Sequence, residues 1–279
     1  MQSRINVEVS LYGAFRQMTA DDTLILDMPA GVSLGEVRVA LREEIARRYP
    51  GFSQLKLLDS SASRTLLLCS RQSGKSTIAA ALALRVALLQ PRSPILLLSP
   101  SQRQSGELFR KILDGFNALG RPVPVTAESA LRLELANGSR IISLPGTEDT
   151  VRGFSGVAML IIDEAARVLD SLYYSVRPML AVSRGRLVAL STPFGQRGWF
   201  HQEWHSSENW ERVKITAEDC PRISKEFLAE ERRALGERWF RQEYLCQFEA
   251  TNDAVFAPED IEKALCNDVK PLFGARSFP

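Results

Sequence analysis

Gly74, Lys75 and Ser76 are the residues of this chain whose types and order carry the clearest chemistry. They close the stretch Thr65-Leu-Leu-Leu-Cys-Ser-Arg-Gln-Ser-Gly-Lys-Ser-Thr77, where an apolar run leads into a small-residue loop and then into an Ala/Leu-rich helical pattern. A nucleoside triphosphate needs backbone N–H groups converging on its oxygens and a helix N-terminus aimed at them. It also needs a lysine against the β/γ charge and a hydroxyl for Mg²⁺. Ser73, Gly74, Lys75, Ser76 and Thr77 form the segment expected to meet those needs, with ATP and Mg²⁺ as the expected ligands. The pattern G-x-x-x-x-G-K-[ST] would place its first glycine at Cys69, so the chain meets the later half of the pattern and departs from it at the start.

A second constellation is Met159-Leu-Ile-Ile-Asp163-Glu164, an apolar run ending in adjacent carboxylates. It reads as a Walker B strand. Asp163 is placed to hold Mg²⁺ together with Ser76, and Glu164 to orient or deprotonate an attacking water. A third apolar run, Arg186-Leu-Val-Ala-Leu-Ser-Thr-Pro193, ends in Ser191, Thr192 and Pro193. Its hydroxyls can touch a γ-phosphate or its water and report the loss of that group.

These motifs need a scaffold that brings strand ends together, and the chain after residue 64 has the pattern of one. Ile95 to Ser99 is a buried strand, and Ser101 caps a helix running to about Leu119. Leu131 to Leu135 and Arg140 to Leu144 are strands around the Asn137-Gly138 turn, and Val157 to Ile162 is another buried strand. Alternating strands and helices predict an α/β fold with a mainly parallel sheet flanked by helices, whose ligands sit at the carboxyl ends of the strands. Trp199 to His205 is a further helical run that puts His201 and His205 on one face, but Gln202 stands where a zinc-protease helix needs Glu. Glu226 to Arg241 interleaves Arg232, Arg233, Arg238 and Arg241 with acids and reads as one solvated helix. Arg103, Arg110 and Lys111 follow the Ser99 strand end and are the better basic candidates for a DNA contact, because DNA-tracking ATPases, which such a chain would resemble, use that loop and helix beside the nucleotide.

The 279 residues are 45% hydrophobic and 24% charged with a net charge of +2, which excludes a wholesale polycation and a disordered chain. The four cysteines have no C-x-x-C pair, as expected of a reduced, intracellular protein. The most apolar helical run, Ile78 to Leu89, carries Arg85 and is too short for a membrane span.

The segment before Asp59-Ser-Ser-Ala-Ser-Arg64 has a different rhythm. Ile5 to Leu11 and Thr23 to Met28 read as strands, Ser33 as an N-cap, Leu34, Val37, Leu41 and Ile45 as the buried face of a helix, and Leu55 to Leu58 as a returning strand. Val7-Glu-Val-Ser-Leu-Tyr-Gly-Ala-Phe-Arg16 and Leu26-Asp-Met-Pro-Ala-Gly-Val-Ser33 resemble the ubiquitin-like β-grasp sulfur carriers, such as the small subunit of molybdopterin synthase. No Gly-Gly occurs in the chain and the last strands of a complete β-grasp are missing, so a truncated, non-carrier module is expected.

The motifs of the larger region resemble a second family. Cys69 to Thr77, Leu98-Ser-Pro-Ser-Gln-Arg-Gln-Ser105, Val151-Arg-Gly-Phe-Ser155, Leu160-Ile-Ile-Asp-Glu-Ala-Ala166 and Leu190-Ser-Thr-Pro-Phe-Gly195 are similar, in order and spacing, to the ATPase domain of the bacteriophage terminase large subunit. That resemblance implies a DNA-packaging motor that hydrolyses ATP and translocates double-stranded DNA in the cytoplasm of a bacterial host. Implied partners are the portal protein, the small terminase subunit and further copies of the chain. It also implies that Arg71 contacts the γ-phosphate region, that Glu164 is the catalytic carboxylate and that Ser191, Thr192 and Pro193 couple hydrolysis to DNA movement. Arg152 is implied as an arginine finger for a neighbouring subunit's site.

The expected organisation is a partial β-grasp module over residues 1–60, a P-loop ATPase domain over 64–256 and a tail over 257–279. The tail's Asp260 and Asp268 do not fall on buried strands, so no nuclease activity is expected. Two other readings stay open on the residues alone: a vestigial or nonenzymatic binding protein, and a DNA-dependent ATPase that packages nothing.

Overall fold

A computed structural model describes residues 3–10, 23–33, 36, 37, 39–41, 43, 44, 60–145, 153–220, 223–250 and 264. Near the N-terminus, β1 (Arg4–Ser10) and β2 (Thr23–Pro29) pair antiparallel from Arg4 opposite Pro29 to Ser10 opposite Thr23. Strand β2 alternates, with Leu24, Leu26 and Met28 buried and Ile25 exposed, the period of a sheet with one covered face. Ser33 and Glu36 form a reciprocal cap: Glu36 N donates to Ser33 Oγ at 3.3 Å and Ser33 N donates to Glu36 Oε2 at 2.7 Å. The described residues from 36 to 44 are helical, whereas the expected Leu55–Leu58 strand lies outside the described residues.

The main sheet has eight strands. Those in the centre are β3 (Arg64–Cys69), β4 (Pro94–Ser99), β8 (Met159–Asp163) and β9 (Arg186–Ser191), with β10 (Glu211–Ile215) on one edge. On the other edge lie β5 (Val125–Ser129), β6 (Arg132–Leu135) and β7 (Arg140–Pro145). The order is β10-β3-β9-β8-β4-β7-β6-β5. All pairs from β10 to β7 are parallel, and β7-β6 and β6-β5 are antiparallel. The central parallel strands β3, β4, β8 and β9 are near-continuous apolar runs because both their faces are covered. β5, absent from the sequence reading, is a mostly exposed edge strand; Val125-Thr-Ala-Glu-Ser129 lacks the buried run that marks its neighbours.

Helix α1 (Lys75–Leu89) buries residues on almost every side, as a helix of Ala and Leu can when it lies between sheet and helix. α2 (Gln102–Ala118) is two-faced, with Leu108, Phe109, Ile112 and Phe116 buried, and starts at the Ser101 cap, where Gln104 N donates to Ser101 Oγ at 3.4 Å. Together they cover one face of the sheet. The other face packs on α3 (Asp170–Val176) and α4 (Gly198–His205) through Tyr173, Trp199 and Phe200; the Tyr173 and Trp199 rings stack at 3.8 Å. The sequence placed one helix over Glu226 to Arg241. The structure has two, α5 (Lys225–Leu235) and α6 (Glu237–Glu243), broken at Gly236, whose φ of 77° glycine adopts without a Cβ clash.

Candidate functional site

β3 carries the phosphate loop and β8 the paired carboxylates, and β9 lies between them. Glycine at 74, with φ 89°, lets the loop turn into α1, so the free N–H groups of the helix start face the loop's concavity. Lys75 is buried and its Nζ donates to Ser70 O at 3.1 Å and to Thr192 Oγ1 at 3.0 Å, which ties the loop to the end of β9. The Ser73 hydroxyl donates to Ser70 O at 2.8 Å and closes the loop on itself. Ser76 Oγ stands 3.4 Å from Asp163 Oδ2 across the sheet. These strand ends therefore bring Ser73, Gly74, Lys75, Ser76, Thr77, Glu164 and Thr192 to one cavity of about 740 Å³.

Asp163 is buried, and burial first and the neighbouring Glu164 charge second push its carboxyl up to about 6, against the opposing pull of Lys75. Glu164 N donates to Asp163 Oδ1 at 2.9 Å. Glu164 itself has φ 50° and ψ 42°, a left-handed backbone that costs a side-chain-bearing residue about 1 kcal/mol or more. The sharp turn sends the chain off β8 so that this carboxylate lines the cavity beside the Ser76–Asp163 pair. Ser191 does something different from its neighbour. Its Oγ accepts from Ala166 N at 3.1 Å and donates to Thr192 O at 2.8 Å, so it pins the turn after β8 to β9, while Thr192 faces the lysine. Pro193 follows, buried.

Arg71 does lie at the cavity, but its partner is protein. Nε donates to Glu243 Oε2 at 2.5 Å, and Arg71 N donates to Glu243 O at 3.1 Å. Glu243 comes from α6, 172 residues along the chain, and nothing in local spacing points to it. Its neighbour Gln242 accepts from Gly195 N at 3.3 Å, so α6 touches both the phosphate loop and the segment after β9. Gln104, Lys111 and Arg167 also line the cavity and were missed as site residues. The sequence reading assigned Lys111 to DNA with Arg103 and Arg110. Helical spacing turns it toward the phosphate loop together with Gln104, seven residues earlier, while Arg110 pairs with Glu107 at 3.1 Å on the exposed side. Arg152, Asp260 and Asp268 lie outside the described residues. His201 and His205 share a face with ring centroids 4.5 Å apart, but Phe248 packs edge-on against both. No group of three or more His, Cys, Asp or Glu side chains placed to hold a metal ion occurs among the described residues. Among those residues no helix is long and apolar enough to cross a membrane.

A parallel sheet whose loop, carboxylate pair and hydroxyl strand converge at the strand ends defines an α/β protein of the P-loop nucleotide-binding class. A family model described as "Terminase large subunit, T4likevirus-type, N-terminal" matches residues 66–263, and the chain belongs to that family. The large terminase subunit of Escherichia phage T5 is 28% identical over 250 residues, covering 86% of this chain and 56% of the relative. The chain thus spans about half the length of the curated relatives it matches. Among solved structures, the large terminase ATPase domain of Thermus phage P74-26 superposes with a TM-score of 0.62 at 23% identity, over 70% of this chain and 92% of that one. The large terminase of another thermophilic bacteriophage, in complex with ATP-gamma-S, gives 0.56 at 15% identity, over 70% and 52%. At those identities the likeness concerns the fold.

Proposed function

We propose that this chain hydrolyses ATP as the motor part of a large terminase subunit, coupling turnover to the translocation of double-stranded DNA. The observation that carries the reading is the convergence of Lys75, Ser76, Asp163, Glu164 and Thr192 at the ends of three adjacent parallel strands. A solved terminase of the same fold is described with ATP-gamma-S, which supports the ligand class. Ser76 and Asp163 are the residues that would hold Mg²⁺. Their oxygens face each other at 3.4 Å, the Asp163 carboxyl is raised by burial, and the fully buried Ser99 Oγ, at the end of β4 next to β8, has no hydrogen-bond partner among the described residues. Bound there, the metal would supply charge for the β- and γ-phosphate oxygens. Lys75 neutralises the same charge from the loop, and Glu164 takes the proton of the attacking water. Arg71 turns from Glu243 to the γ-phosphate region, Thr192 carries the change into β9, and Arg152 serves a neighbouring copy. Portal protein, small subunit and a ring of copies in the host cytoplasm complete the reading, and the N-terminal hairpin is read as a β-grasp-like module on the pairing of β1 with β2.

The test is a pair of variants. Lys75→Ala should lose nucleotide binding and turnover together. Glu164→Gln, nearly isosteric but unable to take a proton, should bind ATP like the parent and lose hydrolysis by roughly a hundredfold or more. A Lys75→Ala protein that turns over ATP at the parent rate overturns the site.

A further inference from the structure

The turn after β8 holds a cation that the hydrolysis step does not use. Ala165–Arg167 is a short 3₁₀ turn anchored on both sides by buried Ala165 and Val168. Ala166 N donates to Ser191 Oγ at 3.1 Å, and Arg167 N donates to Glu164 O at 2.8 Å. The backbone of Arg167 is therefore as well placed as that of Glu164, and its long side chain is the part free to choose a partner. That side chain lines the phosphate cavity, yet among the described residues it makes no hydrogen bond and no ion pair. Its contact is the face of Phe194, with the guanidinium carbon 4.1 Å from the ring centroid.

Phe194 has a second guanidinium on it. Arg197 stands over the same ring at 4.8 Å, so two like charges share one quadrupole. A ring contact at a partly exposed site is a weak hold on an arginine. Phosphate oxygens offer paired, charge-assisted hydrogen bonds that are much stronger. Phe194 also sits two residues after Thr192, which accepts from Lys75, and one before Gly195, whose N–H is held by Gln242. A guanidinium leaving that ring changes the packing of a segment that touches β9, the phosphate loop and α6.

We propose that Arg167 reads the terminal phosphate of the bound nucleotide, exchanging the Phe194 face for phosphate oxygens and so passing phosphate occupancy to the Thr192–Arg197 segment. The proposal rests on the nucleotide reading of this cavity and adds to it a further cation, besides Lys75 and Arg71, supplied by the same chain. Arg167 acts in this scheme on the triphosphate and on ring packing, whereas Lys75 binds di- and triphosphate alike.

The experiment measures the affinities of ADP and ATP-gamma-S, each with Mg²⁺, for the parent chain, Lys75→Ala, Arg167→Ala, Arg167→Lys and Phe194→Leu, with circular dichroism to confirm folding. Arg167→Ala should weaken ATP-gamma-S roughly tenfold and ADP less than about threefold, the loss of a charge-assisted contact made to one phosphate only. Arg167→Lys should recover part of the ATP-gamma-S affinity, and Phe194→Leu should leave it unweakened because the ring competes for the guanidinium. Equal weakening of both nucleotides by Arg167→Ala, no weakening of either, or a Phe194→Leu protein that behaves like Arg167→Ala overturns the proposal and leaves a structural role. If the parent binds neither nucleotide, or Lys75→Ala binds both as the parent does, the cavity reading fails and this inference falls with it.

Discussion

The two sides of the phosphate cavity are built to different standards. One side rests on the main sheet, where a large apolar cluster on each face holds β3, β8 and β9 and with them Lys75, Asp163 and Glu164. The other side rests on α5 and α6, whose own cluster is small: Ala217, Phe240 and Tyr244, with Ile223, Leu228 and Leu245 around them. α5 buries no residue at all, and Phe227 on it is 45% exposed. Yet this thin arm delivers Glu243, the partner of Arg71. On the proposed reading, the groups that would hold metal and lysine to within fractions of an ångström sit on the close-packed half. Glu243, which on the proposed reading would release Arg71 to a phosphate, sits on the thinly packed half.

The contrast can be broken by truncation. Phe109→Ala, 1% exposed in the cluster between α1 and α2, should cost about 3–5 kcal/mol in urea unfolding, and Phe227→Ala less than about 1 kcal/mol. Comparable losses at the two positions would mean that the arm is as firmly packed as the sheet.

The pH dependence of stability sharpens the same contrast on the sheet side. Asp163 has a folded-state value of about 6, above its unfolded value, so the native state binds its proton more tightly. Its contribution is therefore favourable below the unfolded value near 4 and is lost as pH rises through about 6. The difference is of order 2–3 kcal/mol at about 1.4 kcal/mol per pKa unit. Without metal, Asp163→Asn should melt higher than the parent at pH 8, and the gap should close toward pH 4. Mg²⁺ with nucleotide should raise the parent's melting temperature at pH 8 more than the variant's. A gap that does not change with pH would mean the carboxyl is not raised by burial.

The smallest effect belongs to the arm. Arg71 is 62% exposed beside a buried Glu243, and half-solvated pairs of this kind contribute little, so Glu243→Gln should change stability by less than about 1 kcal/mol. It should instead tighten ATP binding by freeing Arg71, read as a lower Kd for ATP-gamma-S. Weaker binding would show that Glu243 positions the loop rather than competing for its arginine.

Much of this could be read along the chain. The phosphate loop, the Asp163-Glu164 pair and the Ser101 cap depend on contiguous residues, because a loop's N–H groups, a strand's terminal side chain and a cap's hydroxyl are all placed by local backbone geometry. Apolar runs bounded by turns marked β3, β4, β8 and β9 for the same reason. β5 escaped because an exposed edge strand has no buried run to announce it, and Gly236 escaped because a helical charge pattern continues across it.

What the residues alone determined is thus a phosphate-loop pattern with its lysine and hydroxyl, and a buried strand ending in two adjacent carboxylates. Strand order was beyond them. That β9 lies between β3 and β8, so that Thr192 meets Lys75 while Ser191 pins the turn of Arg167, follows from pairings between strands far apart in the chain. The same is true of Glu243 against Arg71, of Lys111 lining the cavity beside the phosphate loop, and of two arginines on one phenylalanine. Such contacts are selected by burying the whole set of apolar faces at once, and that energy belongs to the packed sheet rather than to any stretch of sequence.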